Sequence, residues 1–158
     1  MRRIITILPD APADGDSVRL DHDLRNRRRM VFRTAAGDAI LLDMARTVHL
    51  RDGDGLELED GSIVRVEAAA EALIEITAPD LPALVRIAWH LGNRHLPTQL
   101  LGDRLRIRQD HVIAEMVAGL GGVCEGIMTP FDPEGGAYAL SERSAILAHH
   151  HHHDHHHG

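Results

Sequence analysis

Leu73-Ile74-Glu75-Ile76-Thr77-Ala78-Pro79-Asp80-Leu81-Pro82-Ala83-Leu84-Val85 passes from a strand pattern to a helix pattern. Leu73 to Thr77 is an apolar, β-branched run that reads as a strand. Asp80 can cap a helix that has Pro82 in its first turn. Leu81, Leu84, Val85, Ala88 and Leu91 then recur at helical spacing, which predicts an apolar stripe. Gly92-Asn93 is read as the break in this helix, and His95 lies just beyond it. Two strand pieces follow, 98–101 and 104–108, around Gly102-Asp103. Asp110 can cap a second helix whose buried side carries Val112, Ile113, Met116, Val117 and Leu120, with Gly121-Gly122 ending it. Residues 123–128 form the last strand. Strand-helix-strand-strand-helix-strand within roughly 60 residues is the ferredoxin-like split βαβ order.

Upstream, the pattern is β. Ile4 to Leu8 is a short strand closed by Pro9-Asp10, and residues 10–16 form a loop rich in Pro, Asp and Gly. Val31 to Thr34 and Ala39 to Met44 read as further strands. Three Asp-Gly pairs follow, at 52–53, 54–55 and 60–61, and Asp-Gly suits tight turns. The clearest hairpin is Leu56 to Glu59, Asp60-Gly61, then Ser62 to Glu67, with both arms alternating apolar and charged. The expectation is a small sheet or partly closed barrel of about six strands. Ala68 to Ala72 reads as weakly helical or linker, and the domain boundary is placed there. The fold class is therefore α+β: an N-terminal β domain (1–70), a ferredoxin-like domain (71–140) and a flexible histidine-rich tail (141–158). Within the tail, Ser141 to Ala148 has the length of two helical turns.

The chain has 158 residues, 44% of them hydrophobic but only 3% aromatic, so Leu, Ile, Val and Ala must build the cores. Asp and Glu outnumber Lys and Arg by 24 to 17, a formal charge of -7 that argues against nucleic-acid binding. A single cysteine, Cys124, excludes an intrachain disulfide and fits a reducing compartment. No apolar run approaches the ~20 residues needed to span a bilayer. The apolar stretch after Arg2-Arg3 is too short for a signal peptide, so the sequence reads as a soluble cytoplasmic protein.

No nucleophile elbow, dinucleotide fingerprint, phosphate loop or His-Glu-x-x-His helix is present, which leaves the chain without a catalytic motif and reads as a non-enzyme. Cys124 sits in an apolar strand and reads as a small buried hydrophobe. The remaining chemistry is imidazole, which ligates Ni, Zn, Cu and Fe when neutral. His95 follows a helix end and His111 opens the next helix; on a two-fold axis a pair of His95 side chains would face each other without a second ligand from either chain. His90, five residues before His95, points elsewhere on the helix. Asp21-His22-Asp23 reads as a surface turn.

Arg25, Arg27, Arg28, Arg29 and Arg33 form a basic cluster, either a charged strand face or a dock for an acidic partner. The last ten residues hold eight histidines, His149, His150, His151, His152, His153, His155, His156 and His157. No apolar residue follows Ala148, so this tail is expected to be disordered, with many overlapping metal sites. The interruption at Asp154 and the lack of a linker scar favour a native tail over an affinity tag.

His90-Leu91-Gly92-Asn93-Arg94-His95 with Pro97 and Gln99, Asp110-His111-Val112, the segment from Pro130-Phe131 through Pro133-Glu134 to Gly136-Ala137-Tyr138, and the histidine-rich end occur here in that order. In these the chain resembles the UreE family, the urease accessory nickel metallochaperones. The resemblance covers nearly the whole chain. It implies that the β domain meets partners and that the ferredoxin-like domain binds metal and forms a homodimer. It also implies that His95 meets its symmetry mate around Ni²⁺, with His111 and the tail histidines as further ligands. Gln109 stands where some members carry another histidine. The implied role is delivery of Ni²⁺, which Zn²⁺ or Cu²⁺ can replace at imidazole, to the urease maturation GTPase and apo-urease. The alternatives are a divalent-metal buffer acting through the tail, and an interaction module.

Overall fold

Alternation builds the first half. The computed structural model describes residues 1–135, which divide into two units, Met1–Ala69 and Ala70–Gly135. The first contains β1 (Arg2–Leu8), β2 (Ser17–Leu20), α1 (His22–Arg25), β3 (Arg29–Arg33), β4 (Ala39–Asp43), β5 (Gly55–Leu58) and β6 (Ile63–Ala68). The sheet order is β2-β6-β5-β1-β4-β3. The β1–β4 and β2–β6 pairs are parallel and the others antiparallel. The Ala35 N–H donates to Ser17 O at 2.8 Å, joining the two ends of the sheet at one corner. Ile40 and Leu42 in β4 are fully buried while Ala39, Leu41 and Asp43 are half-exposed, the period-two signature of a one-sided strand. They pack with Ile4, Ile7, Val18, Phe32, Leu56, Leu58, Val64 and Val66.

The Asp60-Gly61 hairpin forms as the sequence predicts. Gly61 has φ +88°. Asp60 accepts from the Ser62 N–H at 3.0 Å and the Ser62 hydroxyl at 2.6 Å, and from Arg2 at 3.1 Å. Led by the Ser62 hydroxyl, these bonds hold the Asp60 carboxyl at about 2. Asp54-Gly55 is not a turn: Gly55 opens β5, and a Cβ there would come within 3.0 Å of the Ile63 side chain. β2 and α1 were not foreseen. β2 is only four residues long, and α1 is one turn capped by Asp21, which accepts from the Leu24 N–H at 2.9 Å. Arg25 is buried, not part of a solvated basic face, and donates to Leu20 O at 3.3 Å.

The second unit contains β7 (Ala70–Thr77), α2 (Leu81–Asn93), β8 (Gln99–Leu100), β9 (Leu105–Arg108), α3 (His111–Gly119) and β10 (Val123–Pro130). Its sheet runs β10-β7-β9-β8, antiparallel throughout, which is the ferredoxin-like arrangement. Within 68–72 only Ala69 is a link between strands; Ala68 ends β6, and Ala70 to Ala72 are strand rather than helix, because Ala70 and Ala72 pair with Pro130 and Met128. Tertiary pairing overrides the helix preference of alanine here.

Asp80 and Asp110 cap α2 and α3 as predicted. The buried stripe of α2 differs from the predicted one. Leu84, Ile87 and Leu91 are buried and Ala88 packs against them, whereas Leu81 and Val85 are 63% and 58% exposed. In α3, Ile113 and Val117 are buried and Val112 is exposed. Both helices cover the sheet face made by Ile74, Ile76, Leu105 and Ile107.

Candidate metal site

Helix α2 does not break at Gly92-Asn93; it runs through both and ends around Arg94. The His95 N–H donates to Gly92 O at 3.0 Å and the Leu96 N–H to Leu91 O at 3.3 Å. These two bonds define a Schellman cap, in which one residue adopts the left-handed conformation. That residue is His95, at φ 57°, and among the described residues it is the one non-glycine with positive φ. A side chain in this conformation costs about 1–2 kcal/mol. Leu96 packs on the core that holds Leu91, the apolar contact usual in this cap. The result is an exposed imidazole on a rigid corner.

Topology brings His111 to the same edge. β7 and β8 run one way and β9 and β10 the other, so α2 ends, α3 begins and β10 ends at one edge of the sheet. Asp110 accepts from the Val112 and Ile113 N–H groups at 3.0 and 3.2 Å, which leaves His111 exposed on the first turn. A cleft of about 140 Å³ separates the two corners, lined by Leu96 and Pro97 on one side and by Arg108, Gln109, Asp110 and Ile113 on the other. His95 precedes the first wall in sequence and His111 follows Asp110 of the second.

The chain beyond β10 is fastened across this edge. Phe131 is fully buried, with the Arg108 guanidinium 5.5 Å from its ring centre. The Asp132 N–H donates to Gln99 Oε1 at 3.2 Å and the Glu134 N–H to Thr98 O at 2.8 Å. Gln99 and the Phe131-Asp132-Pro133-Glu134 segment, read from sequence as motif residues and an irregular exit, are thus a clasp beside the two histidines. The predicted tail ligands His149 to His153 and His155 to His157, and the predicted turns at 141–148, lie outside the described residues.

His90 is half-buried and meets the Trp89 ring edge-on at 5.1 Å. Asp21 spends its carboxylate capping α1 beside His22. Cys124 is half-buried against the core, and burial pushes its thiol up. Among the described residues no three His, Cys, Asp or Glu side chains converge. None of the described helices is long and apolar enough to cross a membrane.

A β unit followed by a ferredoxin-like unit that displays imidazoles from a helix cap defines a two-unit α+β protein with a histidine-bearing edge. Residues 3–69 match the family model for the UreE urease accessory protein N-terminal domain, and residues 71–158 match that for its C-terminal domain. The chain belongs to the UreE urease accessory protein family. It is similar to the urease accessory protein UreE of Bradyrhizobium sp. strain BTAi1, at 59% identity over 127 residues, covering 80% of this chain and 62% of that one. The protein of the same name from Rhodopseudomonas palustris strain BisB18 is 60% identical over 127 residues, with 80% and 60% covered. That of Beijerinckia indica is 48% identical over 143 residues, with 88% and 82% covered. The chain thus spans about three fifths of the length of the first two relatives.

Proposed function

We propose that this protein is a cytoplasmic nickel metallochaperone of urease maturation that works as a homodimer, with His95 of each copy holding Ni²⁺ on the two-fold axis. The observation that carries this reading is His95 in the left-handed cap position. A chain that places histidine where glycine costs least gains something from the imidazole. Family membership points the same way. His111 and the tail histidines are additional ligands. The partners are the urease maturation GTPase and apo-urease, met through the first unit.

The homodimer has its own support. Leu81, Val85 and Trp89 are 63%, 58% and 63% exposed at i, i+4 and i+8 on α2. This stripe leads along the helix to Gly92, which has nothing within 4 Å of its Cβ position, and then to His95. An exposed apolar helix face invites a covering surface, and a second copy with the same stripe would bring the two His95 corners together.

The chemistry is transfer, not catalysis. A carrier must bind metal and release it, which suits a few exposed neutral nitrogens better than a closed thiolate cage. Copper binds imidazole more tightly than nickel does, so selection rests on metal supply and partner docking.

The test is calorimetric Ni²⁺ titration of the protein truncated after Ala148, with its mass in solution measured in the same buffer. One tight nickel per two chains supports the reading; weak binding alone moves the chemistry into the tail. Binding weakens as pH falls through ~6.5, where imidazole in water takes up a proton and ceases to ligate. Nickel affinity unchanged between pH 7.5 and 5.5 in that titration would exclude imidazole ligation.

A further inference from the structure

The first unit has a cationic, partly apolar outer sheet face that its fold does not use. Register aligns Arg3, Leu41 and Val31 side by side across β1, β4 and β3. One step along β3 to either side are Arg29, opposite Asp43, and Arg33, opposite Ala39. Ile5 and Val31 are 54% and 47% exposed.

Arg2, Arg19, Arg65, Arg104, Arg106 and Arg108 all pair with carboxylates. Arg3, Arg29 and Arg33 are exposed, and among the described residues none of the three makes an ion pair. Arg33 donates only to Gly37 O at 2.9 Å, and the nearby Glu59 carboxylate takes the Arg3 backbone N–H at 3.0 Å. Asp43 lies across from Arg29 on this face without an ion pair to it, and in a chain of net charge -7 the three guanidiniums outnumber that carboxylate around Leu41 and Val31.

We propose that the β1–β4–β3 face docks an extended, acidic segment of a partner protein that carries apolar residues between its carboxylates. Guanidinium binds carboxylate through paired N–H bonds. Ile5, Leu41 and Val31 supply a dry centre, and the arginines form the rim that steers a partner of opposite charge. This rests on the reading of the first unit as the one that meets partners, and it names the face and the chemistry.

The experiment is an NMR titration of the ¹⁵N-labelled full chain with a synthetic peptide alternating Glu or Asp with Val or Leu. Its controls are the same peptide with Lys in place of the acids, and phosphatidylglycerol vesicles. The expected result is amide shifts centred on Arg3, Ile5, Arg29, Val31, Arg33 and Leu41. Affinity should fall about 10-fold from 0.05 to 0.5 M salt and about 10-fold in R29E/R33E. All three arginines are exposed, so the variant should keep the native amide spectrum and its nickel titration. V31S should weaken binding several-fold at unchanged salt dependence.

Equal binding of the Lys peptide, unchanged affinity in R29E/R33E, or binding to vesicles but not to peptide each overturns the proposal. Shifts confined to another surface of residues 1–69 overturn the face while leaving the partner role of the unit standing. No shift anywhere in 1–69 removes both.

Discussion

The two helices of the ferredoxin-like unit end in the same motif, built with different residues. At the end of α3, Gly121 takes φ +90°, its N–H donates to Ala118 O at 3.0 Å, and the Gly122 N–H donates to Val117 O at 2.9 Å. At the end of α2 the same two bonds are made by His95 and Leu96, and His95 takes φ 57°. The α3 end follows local physics: glycine adopts the left-handed region without a Cβ penalty. Gly122 is required as well, since a Cβ there would lie 2.6 Å from Val117 Cγ1 and 2.9 Å from Ile87 Cδ1. The α2 end carries a histidine at the strained position, which the proposed nickel role of His95 would explain. Identical hydrogen bonding with opposite residue choice marks Gly121 as the position that suits stability and His95 as the one where local stability does not explain the residue.

The largest effect should come from removing the imidazole. His95→Ala, in protein lacking residues after Ala148, should weaken nickel binding by about 100-fold or more, near 2.7 kcal/mol, while the protein stays folded. Tight nickel retained by that variant in calorimetry would make the two helix ends equivalent.

Next comes Gly121→Ala, which puts a Cβ into the left-handed conformation and should lower unfolding stability by about 1–2 kcal/mol. Urea denaturation measures it, and no change would mean the α3 cap is not under this constraint.

The converse swap, His95→Gly, should raise stability by about 1 kcal/mol and abolish tight nickel, whereas His95→Ala should bring no such gain. If alanine and glycine gave the same urea midpoint, backbone strain would not be what distinguishes the α2 cap.

The smallest effect is at Gly92, inside α2 with open space around its Cβ position. Gly92→Ala should stabilise the subunit by somewhat under 1 kcal/mol through helix propensity. It should also weaken the proposed dimer by crowding a second copy packed along the Leu81–Val85–Trp89 stripe. Sedimentation across a dilution series reads the second effect, and an unchanged dimer would move the two-fold axis off that stripe.

The sequence made much of this visible, and the failures share a cause. Strands with one wet face, such as Ala39 to Asp43 and Ile63 to Ala68, announce themselves through alternation. Asp80 and Asp110 mark helix starts because a capping carboxylate acts within three residues. Four-residue β2 and one-turn α1 were too short to carry a period. Ala70 to Ala72 does not read as strand from sequence, because its local preference is helical and its strand partner is some sixty residues away, at Met128 to Pro130. The α2 stripe was misassigned because that helix is apolar on two faces, and only packing decides which one the sheet covers.

By itself, then, the sequence determined the β-then-ferredoxin-like order, the helix starts, the hairpin at Asp60-Gly61 and the singling out of His95 and His111. Each depends on residues within one or two turns of chain, where propensity and periodicity act. Tertiary structure alone decided that α2 runs on to a left-handed His95, that Arg25 is buried, and that Leu81, Val85 and Trp89 remain uncovered. It also decided that His95, His111 and the clasp at Phe131 share one sheet edge. The His95 cap closes through local bonds to Gly92 and Leu91, anchored by Leu96 on the core; the other outcomes depend on contacts between segments far apart in the chain, where a burial pattern can be met in more than one way until the partner surface is in place.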